Sequence, residues 1–136
     1  MGIDTSDEGL CFACGKRNPH GLQLVFEVDA DAGMAVCELA VPGRFNGWPG
    51  VCHGGIVATL LDEAIVYACR GTGKLAATVG LSVKYRKPVP TGVPVRIVGE
   101  LVSARSRIMK ATARIEREGE ILAEAEGTLA VLPNST

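Results

Sequence analysis

Polar and apolar positions alternate along most of this chain, and one stretch breaks the rhythm. Leu22, Leu24, Phe26 and Val28 alternate with Gln23, Glu27 and Asp29, the period-two signature of a half-buried strand over 22–29. A turn over 29–33 leads to a second strand over 34–41, and the two runs predict a hairpin. Beyond Gly73 the alternation returns, with Val79, Leu81, Val83 and Tyr85 set against Gly80, Ser82 and Lys84. Val93, Val95, Ile97 and Leu101 follow, against Arg96 and Glu100; further runs over 108–116 and 121–132 are joined by a turn over 117–120. Tight connections of this kind imply antiparallel pairing.

The exception is the stretch 56–69, IVATLLDEAIVYAC, which lacks glycine and proline and stops at Arg70-Gly71. Val57, Leu60, Leu61, Ala64 and Ala68 fall on one helical stripe, while Ile56, Ala58, Ile65, Val66 and Tyr67 make the other faces largely apolar too. A helix that is apolar nearly all round is buried. One helix cannot cover both faces of six strands, so the sheet is expected to wrap around it. The expected class is α+β.

Composition narrows the picture. The 136 residues suit one domain, and 47% hydrophobic against 21% charged residues supports one real core. The formal charge of −1 argues against a nucleic-acid partner held by a strong overall basic field. No apolar run approaches the roughly 20 residues of a membrane helix, and the acidic start does not read as a signal peptide. A cytoplasmic protein without a membrane partner is the expectation, with 1–10 as a flexible tail and 11–133 as the single domain. The near-neutral total conceals an uneven distribution. From Lys84 to Arg117 there are nine Lys or Arg and two Glu, so acids dominate elsewhere.

The five cysteines read as reduced thiols rather than a disulfide framework. Only Cys11 and Cys14 have metal-like spacing, and a structural zinc wants four ligands. His20, Cys52 or His53 would complete such a set only if the fold happened to bring them together. No metal and no cofactor are expected.

Two places carry candidate chemistry. Asp62 and Glu63 are the only charges in the apolar helix, where partial burial would strengthen a carboxylate as a base or nucleophile. His53-Gly54-Gly55 sits where the helix begins, with Gly55 and Asp62 seven residues apart on one face. Free N–H groups and the helix dipole favour a developing negative charge there, and glycine lets a carbonyl come close to the backbone. Acyl transfer needs such an oxyanion site.

In order along the chain stand CFACGKRNPHGL, FNGWPGVCHGG, the helix with Asp62, and KYRKPVP. On these motifs, over about 11–132, the chain resembles the hotdog-fold acyl-CoA thioesterases of the PaaI-like group. The resemblance implies a six-stranded antiparallel sheet wrapped around one long central helix, and a homodimer or dimer of dimers with active sites at the subunit interface. It gives Gly55 the N–H that polarises the thioester carbonyl, makes Gly54 substrate-binding, and has His53 support the loop geometry or help bind the carbonyl side. Asp62 becomes the general base or the nucleophile, and Thr78 a hydroxyl that orients water from the partner subunit. Where relatives carry Asn six residues before the histidine this chain has Gly47, with Asn46 one place earlier as the candidate polar residue. The phosphates of coenzyme A would meet Lys84, Arg86 and Lys87 at one strand end and Arg105, Ser106 and Arg107 in a later turn. Alternatives are hydration or dehydration of an acyl thioester, and capture of acyl-CoA without catalysis.

Overall fold

The computed structural model describes residues 3–133. Its strands are β1 (Glu27–Asp29), β2 (Met34–Ala40), β3 (Ala76–Tyr85), β4 (Pro94–Arg105), β5 (Ile108–Arg117) and β6 (Glu120–Val131); the helix α1 (Gly54–Arg70) lies between β2 and β3. They form one antiparallel sheet in the order β1-β2-β4-β5-β6-β3, so β3 crosses over to become the far edge. The helix packs against all six strands, most extensively against β4 and β5. This is the hotdog arrangement: one long helix enclosed by a curved sheet.

The core lies between helix and sheet. Leu60, Leu61, Ala64 and Ile65 of α1 are fully buried against Ile97 of β4, Ile115 of β5 and Leu129 of β6. Close approach at the centre depends on Gly99 in β4. A Cβ there would run into the Ala64 carbonyl, with the carbonyl carbon 2.6 Å away, so only glycine lets the helix sit this near the strand. The hairpin between β5 and β6 has a two-residue loop, Glu118-Gly119, in which both residues take positive φ (52° and 76°). That is the turn whose twist matches antiparallel strands. Among the described residues no helix is long and apolar enough to cross a membrane.

Two boundaries differ from the sequence pattern. The first strand covers only Glu27–Asp29. Leu22 and Leu24 are buried as their alternation implies, but their N–H groups bond to Phe12 and Ala13 of the preceding loop instead of to a strand. Gln23 between them adopts φ 52°, outside the extended region. Alternation recorded which side chains face the core, not which backbone they pair with. The helix, in turn, starts two residues before the apolar run, at Gly54, because His53 caps it.

Candidate active site

The loop before the helix is fastened at several points. His53 N–H bonds to Phe45 O and Gly47 N–H to Val51 O, each at 2.9 Å. Cys52 N–H reaches Val89 O at 2.8 Å, and the Thr91 hydroxyl donates to Asn46 Oδ1 at 2.7 Å. Asn46 therefore ties two loops together, and its carbonyl oxygen is already engaged. At the helix start, His53 Nδ1 accepts the Gly55 N–H at 2.9 Å. The Tyr85 hydroxyl at the end of β3 donates to Gly54 O at 2.8 Å, holding the exposed first turn from the other side.

This changes the expected role of Gly55. Its N–H is directed at the histidine ring, so it becomes available to a ligand only if the ring turns aside. Gly54 opens the helix, and its N–H has no carbonyl four residues earlier within the helix. Both glycines are solvent-exposed.

Asp62 lies half-buried two turns further along α1. The Thr78 hydroxyl donates to Asp62 Oδ1 at 2.7 Å, within the same chain. The sequence reading expected that hydroxyl from a partner subunit, and the fold brings it from β3 of the same one. Just beyond Thr78 the β3–β6 register shifts before Gly80, a bulge that interrupts the pairing beside the carboxylate. Glu63, also half-buried, has its carboxyl pushed above the ordinary range by burial and by the neighbouring Asp62 charge.

Gly55 and Asp62 share a helix face, but seven residues at 1.5 Å each separate them by about 10 Å along the axis. A carbonyl held at the helix N-terminus is thus out of reach of a water resting on the same chain's Asp62.

The two basic groups are also apart. Lys84 pairs in register with Glu124 on β6, whereas the turn 105–107 lies beside Ala130 and Val131. At about 3.3 Å per residue the two groups are roughly 20–30 Å apart on one chain. Arg107 donates to the Val131 and Leu132 carbonyls at 3.3 and 2.9 Å, so it secures the end of β6. Ser106 holds the left-handed position of that turn, φ 55°, and Arg105 is exposed. Arg86 and Lys87 pair with Glu124 and Glu120, both at 2.6 Å on the surface. Such solvent-screened pairs contribute little, so a phosphate can displace them.

Sequence reasoning missed Tyr85 as a partner of the helix start, although it stands second in the KYRKPVP motif. It also missed the meeting of Cys11 and Cys14 with Glu63, whose nearest atoms come from segments about fifty residues apart.

Comparison with known proteins places this geometry in a family. Residues 49–124 match the thioesterase superfamily model, a span that includes the helix start, Asp62, Thr78 and the strands β3 to β5. The chain belongs to the thioesterase superfamily. It is 29% identical over 118 residues to the acyl-coenzyme A thioesterase THEM4 of Bos taurus, covering 85% of this chain and 48% of that protein. The chain spans about half the length of the curated relatives it matches first. A crystal structure of a thioesterase superfamily protein superposes with a TM-score of 0.82 at 28% identity, covering 88% of this chain and 62% of the other. The E. coli PaaI protein shares the fold, with a TM-score of 0.76 at 20% identity over 84% and 83% of the two chains.

Proposed function

We propose that this protein hydrolyses the thioester of an acyl-CoA, releasing a carboxylic acid and free coenzyme A. The observation that carries the reading is the Thr78–Asp62 pair. The hydroxyl donates to Oδ1, which leaves Oδ2 to take a proton and the hydroxyl's lone pairs to hold a water. A water between the two is oriented and activated at once, so Asp62 acts as general base. The helix N-terminus supplies the N–H donors for the oxyanion, from Gly54 and, once the His53 ring turns, Gly55. The name of the bovine relative supports coenzyme A as the thiol.

The 10 Å separation supports a site shared between two copies, with the helix start of one chain facing Asp62 of the other. The edge strand β3 suits that pairing. Its outer edge carries Val79, Leu81 and Tyr85 with 59%, 37% and 56% exposure, an apolar edge of the kind that pairs with another chain. The strand that holds Thr78 and Tyr85 would then lie at the seam. Lys84, Arg86, Lys87 and Arg105 provide positive charge for the phosphates of coenzyme A.

Thiol release from a panel of short-chain, long-chain and aromatic acyl-CoAs tests the reading. Hydrolysis of at least one is expected, whereas absorbance loss from an enoyl-CoA without thiol release would mean hydration instead. Thr78→Val is expected to lower kcat about tenfold to a hundredfold, the scale of losing a hydrogen bond to a charged group, 1.5–3 kcal/mol. Thr78→Ser keeps the hydroxyl and is expected to stay near wild type. Equal rates for the two variants would remove Thr78 from the mechanism.

A further inference from the structure

Outside that site, the sulfur atoms of Cys11 and Cys14 and a carboxylate oxygen of Glu63 all lie within 4.8 Å of one another. We propose that Cys11, Cys14 and Glu63 bind a thiophilic divalent cation of the zinc class, with water in the fourth position, clipping the N-terminal loop to α1. This is independent of thioester hydrolysis, and it departs from the sequence expectation of no metal.

The geometry is close to what such an ion requires. Tetrahedral zinc with about 2.3 Å bonds to sulfur and about 2.1 Å bonds to oxygen sets its ligands roughly 3.5–3.8 Å apart. Cys11 Sγ already lies 3.8 Å from Glu63 Oε1.

The loop is built before any ion arrives. The Cys14 N–H points at Cys11 Sγ at 3.5 Å, and the Gly15 N–H bonds to Cys11 O at 2.9 Å. Gly15 admits no side chain: a Cβ would stand 2.6 Å from both the Cys11 and the Gly9 carbonyl oxygens. Arg17 N–H to Gly9 O, Arg17 Nη1 to Glu8 O and Asn18 Nδ2 to Leu10 O brace the turn from outside. Ala13, between the cysteines, is buried in the core, and the Phe12 ring meets Phe45 edge-on with centroids 6.1 Å apart. The turn thus presents both sulfurs to the helix face that carries Glu63, and the tail is tied down from Glu8 onward.

A divalent ion among the three deprotonates the thiols it binds, so two thiolates and a carboxylate can then share one site.

The test uses the whole reduced chain after chelator treatment, titrated with Co²⁺. One equivalent is expected to produce a thiolate-to-cobalt charge-transfer band that Zn²⁺ abolishes, and Zn²⁺ is expected to raise Tm. Cys11 is exposed, so Cys11→Ser should fold, and it is expected to lose most of the band. Glu63→Gln is expected to weaken cobalt binding at least about tenfold, since even outer-shell partners of a metal contribute that much. Cys69→Ser, in the core, is expected to bind as wild type wherever its circular dichroism shows a folded chain. Absence of the band at one equivalent, an unchanged band in Cys11→Ser, or wild-type affinity in Glu63→Gln overturns the proposal. Recovery of Cys11 and Cys14 as a disulfide that takes up no metal after reduction overturns it too.

Discussion

Asp62→Asn is expected to lower kcat for acyl-CoA hydrolysis by about 10²–10⁴-fold, the contribution of a positioned general base. Asparagine matches aspartate in shape and keeps an oxygen for the Thr78 hydroxyl, so the local packing and the 2.7 Å bond have no reason to change. It cannot take a proton from water. KM is expected to remain within a few-fold, because the carboxylate acts on the attacking water and makes no contact that binds the ground state. Thiol release at saturating substrate measures the loss. A variant retaining a third of the wild-type rate would place the base elsewhere, and Glu63, one residue along, would be the first alternative.

The second large effect concerns folding. Gly99→Ala is expected to destabilise the protein by about 3 kcal/mol or more, at the upper end of overpacking costs in a close-packed core. The added methyl meets the backbone carbonyl of Ala64, and backbone in the middle of a buried helix cannot move aside as a side-chain tip can. The helix would have to lift from β4 along the line where Leu60, Leu61 and Ile65 are fully buried. In a chain of this size that corresponds to a fall in Tm of roughly 10 °C. Gly43→Ala serves as the control, since a Cβ there has open space and no positive φ to strain. It is expected to change Tm little. Equal behaviour of the two variants would mean that the helix does not sit this close to the sheet.

Much of this architecture could be read from the chain, for a physical reason. Strand alternation and the all-apolar helix both report burial, and burial around one helix leaves few ways to arrange six strands. Burial does not specify pairing, which is why Leu22 and Leu24 were assigned to a strand that proved to be a loop contact. The helix start eluded periodicity because Gly54 and Gly55 carry no side chain and have poor helix propensity; the His53 ring compensates by accepting the Gly55 N–H.

The site was legible where its residues are close in sequence. His53, Gly54, Gly55 and Asp62 are joined by one helix, and its rise fixes their separation. Thr78 was found as a position, but its bond to Asp62 of the same chain was not, since sequence spacing cannot tell where a strand folds back. The basic residues showed the limit of counting charge. Arg86 and Lys87 find Glu124 and Glu120 across the β3–β6 pairing, and Arg96 and Arg114 share Glu116 across β4 and β5. The local excess of Lys and Arg is therefore partly neutralised, by Glu120 and Glu124 from beyond that stretch and by Glu116 within it. Glu63 had no sequence signal linking it to Cys11 and Cys14, because the contact depends on where the loop settles on the helix.

The most direct test of a shared hydrolytic site is co-expression of two inactive chains. Gly55→Val shades the helix N-terminus, since a Cβ there already stands 3.2 Å from the His53 ring. Asp62→Asn removes the base. Each chain alone is expected to be nearly inactive, and mixed dimers, purified through two different tags, join the intact helix start of one chain to the intact Asp62 of the other. Two-fold symmetry gives each mixed dimer one complete site of two, so thiol release at about half the wild-type rate per dimer is expected. Mixed dimers as inactive as their parents, or full wild-type activity in a strictly monomeric chain, would contradict the account.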